Sequence, residues 1–409
     1  MVGAGAAGLA TAIFTARLEP RLRVVALDGA RTLGAKILVS GGGRCNVTNT
    51  RVTPADFWRP ASPFVARVLR SFDVGRTVAF FAELGVRLRE EPGGKLFPET
   101  GRARGVLAAL LAEAARLGIE LRAGQRVLGV EHRDERFVVR TEAGALQARR
   151  VVLATGGLSL PRTGSDGAGY GFATALGHSL VPTTPALAPL VLQGGFHAPL
   201  SGVSHEVELR VAAPPGKPAR VRGPLLWTHF GVSGPAALDA SRFWHRAALG
   251  GRAARVSASF FPGRDFAAVE AELLAQGRAR PSARLASALA AALPAAVAEA
   301  AAVQLGIPAD RTLGRLRRED RRRLVAALVD WPLPVTGSRG YAFAEVTSGG
   351  IPLEEVDPAS LQSRPCPGLH LVGEILDVDG RIGGFNFQWA WSSAAVAARA
   401  VAGYSTLKP

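Results

Sequence analysis

The chain has 409 residues, a formal net charge of +16 and two cysteines, Cys45 and Cys366. That length predicts two or three domains with ample core. No apolar run approaches the roughly eighteen residues of a membrane span, no charged region leads into a secretory apolar stretch, and no CxxC pair marks a dithiol or zinc site, so a cytoplasmic protein with free thiols and no metal is expected.

Gly3-Ala4-Gly5-Ala6-Ala7-Gly8 opens a stretch of helical composition, Leu9 to Leu18, followed by the apolar run Leu22 to Leu27 and then Asp28. This is the layout of a dinucleotide-binding βαβ unit. Gly3 allows the turn, Gly5 lets backbone approach a pyrophosphate, and Gly8 lets helix and strand pack closely. The helix start at Ala6 and Ala7 presents free N–H groups and a positive dipole end. Asp28, twenty residues past Gly8, is placed to accept hydrogen bonds from ribose hydroxyls. Only Met1 and Val2 precede the first glycine, so the first strand is expected to be longer, with its start upstream of Met1.

Next comes a glycine loop, Ser40-Gly-Gly-Gly-Arg-Cys-Asn46, in which bare backbone can lie against a ligand. Residues 62–85 and 107–117 read as helices, 120–131 and 137–141 as strands, and 142–144 as a turn. Val151-Val-Leu-Ala-Thr-Gly-Gly157 reads as a buried strand running back to the nucleotide, and 164–171 leads into another helix. From about 185 prolines become frequent. Alternation at 207–211 and 225–229 predicts an all-β region, 266–305 an Ala-rich helical region broken at Pro281 and Pro294, and 315–330 a further helix. Leu369–Gly373 reads as a strand, and Gly383-Gly384-Phe385-Asn386 opens a long final helix. The division expected is a discontinuous α/β nucleotide domain over 1–188 and 347–409, a β-rich insert over 189–262 with a return strand at 332–346, and a helical insert over 263–331.

Side chains in these segments carry alternative readings. Arg44 pairs with a phosphate or organises the glycine loop. Cys45 reads better as a small buried residue than as a flavin-directed thiol, and Asn46 as a hydrogen-bonding loop residue. The last helix, starting at Gly383-Gly384-Phe385-Asn386, aims its amides at an electron-accepting ring, where they stabilise negative charge. Asp379 binds a ribitol or bridging water, or closes an Asx turn. His229 passes a proton to or from substrate, or is a satisfied strand-end histidine. The basic run Arg315–Arg323 reads as the solvated face of a helix rather than a nucleic-acid surface, since no aromatics interleave with it.

The set of motifs resembles the BaiN/YhiN-like flavoproteins. It comprises Gly3–Gly8, the Ala35–Asn49 stretch with Ser-Gly-Gly-Gly-Arg-Cys-Asn, Leu153-Ala-Thr-Gly-Gly157, Gly164-Ser-Asp-Gly167, Trp227–Pro235, Gly373-Glu-Ile-Leu-Asp-Val-Asp-Gly380 and Gly383-Gly384-Phe-Asn386. The resemblance implies bound FAD in a two-part Rossmann-like domain with a β-barrel-like and a helical insert. It also implies cofactor contacts at Lys36, Gly42, Gly43, Thr155, Gly156, Gly157, Gly373 and Glu374. Departures occur at Ser392-Ser393-Ala394-Ala395 and around Glu345–Gly350.

The function expected is an FAD-dependent oxidoreductase in which NAD(P)H, bound transiently for want of a second GxGxxG module, supports reduction of a small unsaturated or carbonyl substrate. The alternatives are an oxygen-using oxidase of a small amine and an FAD-carrying nucleic-acid-binding module.

Overall fold

The computed structural model describes residues 1–58, 62–290, 292–308 and 310–403. It divides into two compact units, one formed by Met1–Thr184 together with Glu345 onward, the other by Pro185–Ala344.

The first unit is built on a parallel sheet. Glu120–Arg122 pairs with Val25–Leu27, and Val151–Leu153 pairs with Leu369–Leu371. Val2 joins the two pairs by bridging both Leu27 and Leu153. The Val2 amide donates to Val152 O at 2.8 Å, the Gly3 amide to Leu27 O at 2.8 Å, and the Ala154 amide to Val2 O at 2.8 Å. The central position of the sheet is thus held by Met1–Gly3 alone. Burial lowers the Met1 ammonium to about 6, and it donates to Val25 O at 2.7 Å. Parallel sheets are covered on both faces, so their strands are mostly apolar; Val151–Leu153 and Leu369–Leu371 are buried at every position, and the one polar residue among them, His370, places its Nδ1 3.0 Å from Ser360 O.

The first helix, Ala6–Leu18, packs on the last, Phe385–Val401. Neighbouring tryptophans of the last helix serve two cores. Trp389 joins Val2, Leu153 and Leu371, and Trp391 joins Leu9, Ile13 and Phe81. Their indole N–H groups end on backbone carbonyls, Trp389 on Gly373 and Trp391 on Val47. Two small antiparallel sheets complete the unit: Leu88–Glu91, Lys95–Pro98 and Thr48–Asn49; and a meander over Val127–Ala148.

Two expectations here need correction. The helix read over 62–85 is two helices, Pro63–Ser71 and Val74–Glu83. Asp73 caps the second by accepting from the Arg76 amide at 2.9 Å, and Phe72 is extended, its carbonyl taken by Gln388 Nε2 and Ser392 Oγ. The strand read over 120–131 is broken by a turn with left-handed Gly124.

The second unit carries a seven-stranded antiparallel sheet. Its order is Trp331–Leu333, Arg255–Ser259, Ser204–Ala212, Ala219–Thr228, Gly231–Ser233, Leu190–Leu192, Val335–Ser338. The outermost strands are consecutive in the chain and separated only by Pro334. Helices Phe266–Ala279, Leu285–Leu289, Ala295–Gln304 and Arg318–Val329 follow the Ala-rich pattern and its proline breaks. The all-β reading of 189–262 missed helix Gly234–Leu249. Pro235 lies in the first turn of this helix, where its missing N–H has no intrahelical partner anyway. Among the described residues no helix is long and apolar enough to cross a membrane.

Gln388 ties the last helix to the rest of the first unit. Its Oε1 accepts from Thr48 and Thr77 hydroxyls at 2.6 and 3.0 Å, and its Nε2 donates to Phe72 O and Ser392 Oγ. A Gln388→Leu variant strands these buried groups. It should lose about 2–4 kcal/mol of stability, by the unsatisfied-group penalty, read as a lower urea midpoint; an unchanged midpoint would refute the tie.

Candidate functional site: a dinucleotide seat in the first unit

The glycine turn has three glycines in three different situations. Gly3 has φ +96, and a Cβ on it would lie 2.4 Å from Ala154 O. A Cβ on Gly8 would lie 2.0 Å from Gly3 O. These two positions let strand, turn and helix touch through backbone. A Cβ on Gly5 meets nothing within 4 Å. Gly5 is the N-cap residue, no side chain caps the helix, and its first turn carries no acid. Uncapped amides and a positive dipole end therefore face open space beside Gly5, which is what a pyrophosphate requires. The residues present fit an FAD dinucleotide.

Asp28, at the end of its strand, accepts from the Ala4 amide at 2.8 Å through one oxygen and from the Ala30 amide at 2.8 Å through the other. The carboxylate is locked to the turn, and each oxygen keeps a second lone pair for a ribose hydroxyl.

The distant end of the chain closes on the same turn. A Cβ on Gly373 would lie 2.8 Å from the Ala7 side chain. Gly373 is held by Ser393 Oγ, which accepts its amide at 3.0 Å, and by Trp389 Nε1, which donates to its carbonyl at 3.0 Å. Beside it, Glu374 takes Lys36 Nζ at 2.6 Å, Ser159 Oγ at 2.8 Å and the Thr347 amide at 2.9 Å. Lys36 also reaches Ser159 Oγ at 2.5 Å, and Thr347 Oγ1 accepts from the Leu158 and Ser159 amides. This network fastens four segments together. Ser159 and Thr347 were not singled out in the sequence, because no motif spacing marks them. Lys36 and Glu374 neutralise each other, so neither offers an unpaired charge.

Thr155, Gly156 and Gly157 form the turn after the buried strand. A Cβ on Gly156 would lie 2.7 Å from Ser165 Oγ, one on Gly157 2.4 Å from Thr347 Oγ1, and Thr155 fills the space over Gly169. Close packing is thus their structural part.

In the glycine loop, Ala35 onward begins as a helix and breaks at Ser40, with Gly41 and Gly42 left-handed. Cβ atoms on Gly42 and Gly43 would meet nothing closer than 3.8 Å, so this backbone is open to a ligand. Arg44 is committed elsewhere. Its guanidinium takes both Glu91 oxygens at 2.9 and 3.0 Å and lies 4.1 Å over the Phe97 ring. Its Nε also donates to Gly41 O at 3.4 Å, so the side chain helps to hold the glycine loop. Cys45 is buried, and burial pushes its thiol up to about 12. Asn46 is buried against the start of the last helix, its Oδ1 2.9 Å from where a Cβ on Gly384 would stand.

The last helix starts at left-handed Gly384 without a side-chain cap. Asn386 binds Gly380 through both ends of its amide, at 2.8 and 3.0 Å. The Asp379 carboxylate has no exposed surface and accepts from Ser348 Oγ at 2.9 Å. Both side chains thus shape the loop. Next to this loop a polar cavity of about 480 Å³ is lined by Asn49, Arg51, Thr53, Asp56, Gly93 and Arg381 among others. His229 belongs to the second unit. It is exposed in the turn between strands Ala219–Thr228 and Gly231–Ser233, with its ring edge-on to Phe230 at 5.1 Å.

The HI0933-like protein Rossmann domain family matches residues 1–400. The 3-dehydro-bile acid delta(4,6)-reductase of Clostridium scindens is 32% identical over 408 residues, covering 98% of each chain. The ribosomal RNA dihydrouridine synthase of Escherichia coli is 33% identical over 402 residues, covering 96% of this chain and 95% of that one. A solved structure, the 3-ketosteroid delta1-dehydrogenase of Sterolibacterium denitrificans, superposes over 99% of both chains with a TM-score of 0.51 at 15% identity, a likeness of fold.

The glycine geometry separates two variants. Gly5→Ala should leave the melting temperature of the FAD-free protein unchanged and weaken FAD retention, whereas Gly8→Ala should lower both; equal behaviour in the two would refute the assigned roles, read by melting temperature after flavin removal and by flavin absorbance. Cys45 should stay unmodified by iodoacetamide in the folded protein at mildly alkaline pH, since the thiolate is the reactive form; rapid labelling, seen by mass spectrometry, would contradict it.

Proposed function

The chain belongs to the HI0933-like Rossmann family of FAD-dependent oxidoreductases, and we propose that it reduces a carbon–carbon double bond conjugated to a carbonyl, with a nicotinamide nucleotide as electron source. In balance, the unsaturated compound, NAD(P)H and one proton give the saturated compound and NAD(P)⁺. The observation that carries this reading is shared chemistry. Two relatives matched over nearly their whole length are named for the same event, loss of a double bond from a ring, in a delta(4,6)-reductase and in a dihydrouridine synthase.

Bound FAD supplies hydride transfer to an electron-poor carbon. The chain's own residues hold the parts in place. Gly5 and the first-turn amides bind the pyrophosphate, Asp28 the adenosine ribose, and the open backbone of Gly42 and Gly43 the neighbouring part of the cofactor. The uncapped start of the last helix would offer its free amides and positive dipole end to the cofactor's ring. Lys36 and Glu374, mutually neutralised, fix the walls without adding net charge. His229 is the proposed proton donor to the second carbon. Loss of turnover with an altered pH profile in a His229→Ala variant supports that role, and an unchanged profile removes it.

The reaction class is tested on the purified yellow protein under anaerobic conditions. NADH or NADPH should bleach the flavin, and a conjugated enone or a uridine substrate should restore the colour without oxygen. Recovery only on admitting oxygen would replace the reductase reading with an oxidase.

A further inference from the structure

The second unit gathers arginines that lie far apart in sequence. Segments 277–285 and 311–318 run side by side. The Leu285 amide donates to Arg311 O at 2.8 Å, the Leu313 amide to Ala283 O at 2.9 Å and the Gly314 amide to Pro281 O at 2.8 Å, and Arg284 bridges Thr312 in antiparallel register. Leu285 and Leu313 turn into the core, which leaves the other faces of both segments to solvent. Arg278, Arg280, Arg284, Arg315, Arg317 and Arg318 are exposed and Arg311 is half-buried. Neither segment contains an acidic residue. The nearest acids in sequence are Asp310, Glu319 and Asp320, of which Asp320 is taken by Arg317 and Arg323.

We propose that this arginine face docks the phosphodiester backbone of RNA. Guanidinium forks match phosphate oxygens in bidentate geometry, and the backbone hydrogen bonds between the two segments keep the chain positions that carry them side by side. Neither segment has an aromatic residue, so the contact is with phosphates rather than stacked bases. Neither exposes a large apolar side chain among the described residues, which removes the insertion that a membrane surface would need. The choice of RNA rests on the reductase reading above, in which a uracil ring is one conjugated substrate.

The test is binding of the full-length, FAD-loaded protein to a structured RNA and to duplex DNA of matched length over a range of salt. The Arg278→Gln/Arg284→Gln/Arg315→Gln triple variant is compared with an Arg70→Gln/Arg87→Gln/Arg104→Gln control, which removes the same charge from exposed sites in the first unit. Wild type should show a salt slope that the first variant reduces by about two to three units, with roughly tenfold weaker binding, from lost counterion release. The control should stay near wild type, and flavin absorbance should be unchanged in both. Absence of RNA binding by wild type, or equal loss in both variants, overturns the surface. Equal affinity for duplex DNA overturns RNA as the partner. Flavin bleaching and reoxidation are read separately, so a failed docking face and a failed reductase reading give different results.

Discussion

The first unit depends on backbone meeting backbone with no side chain between. Gly8 stands where a Cβ would press into Gly3 O, and Gly3 stands where one would press into Ala154 O. Strand, turn and helix converge there, and Val2 bridges the strands on both sides. The positive end of the helix is thereby set close to the carboxyl end of the central strand, with Gly5 open beside it. A dinucleotide seat of this kind is a consequence of what is missing from three positions rather than of any reactive group.

Closure comes from the other end of the chain. Gly373 rests on Ala7, Glu374 collects Lys36, Ser159 and Thr347, and the last helix packs along the first. At this seam Gln388 pairs several buried polar groups in series, two hydroxyls, a carbonyl and a serine. A satisfied network of this type fixes one arrangement, because any shift strands several groups at once. Charge is handled the same way. Arg44 and Lys36 sit beside open backbone, yet each is neutralised by a glutamate. Anion attraction at the seat is left to amides and a helix dipole.

The second unit treats charge differently. Its core takes the leucines of 277–285 and 311–318 and leaves the arginines outside without acids in the same segments. The basic run Arg315–Arg323 looks alone like a solvated helix face. Its N-terminal part gains meaning only beside Arg278, Arg280 and Arg284, about thirty residues earlier in the chain.

What the sequence by itself determined is whatever depends on local spacing. The glycine turn, the acid after the second strand, the Ala-rich helices with their proline breaks and the start of the last helix were all legible, because turn conformation, helix propensity and burial leave marks on neighbouring residues. Tertiary structure alone decided the partners. Arg44 goes to Glu91 and Asp379 to Ser348, helix 62–85 splits where Asp73 caps, and Gly234-Pro235 starts a helix within the region read as all-β. The reason is physical: a charged or polar side chain has several acceptable partners at any sequence distance, and only the packed chain says which one is within 3 Å.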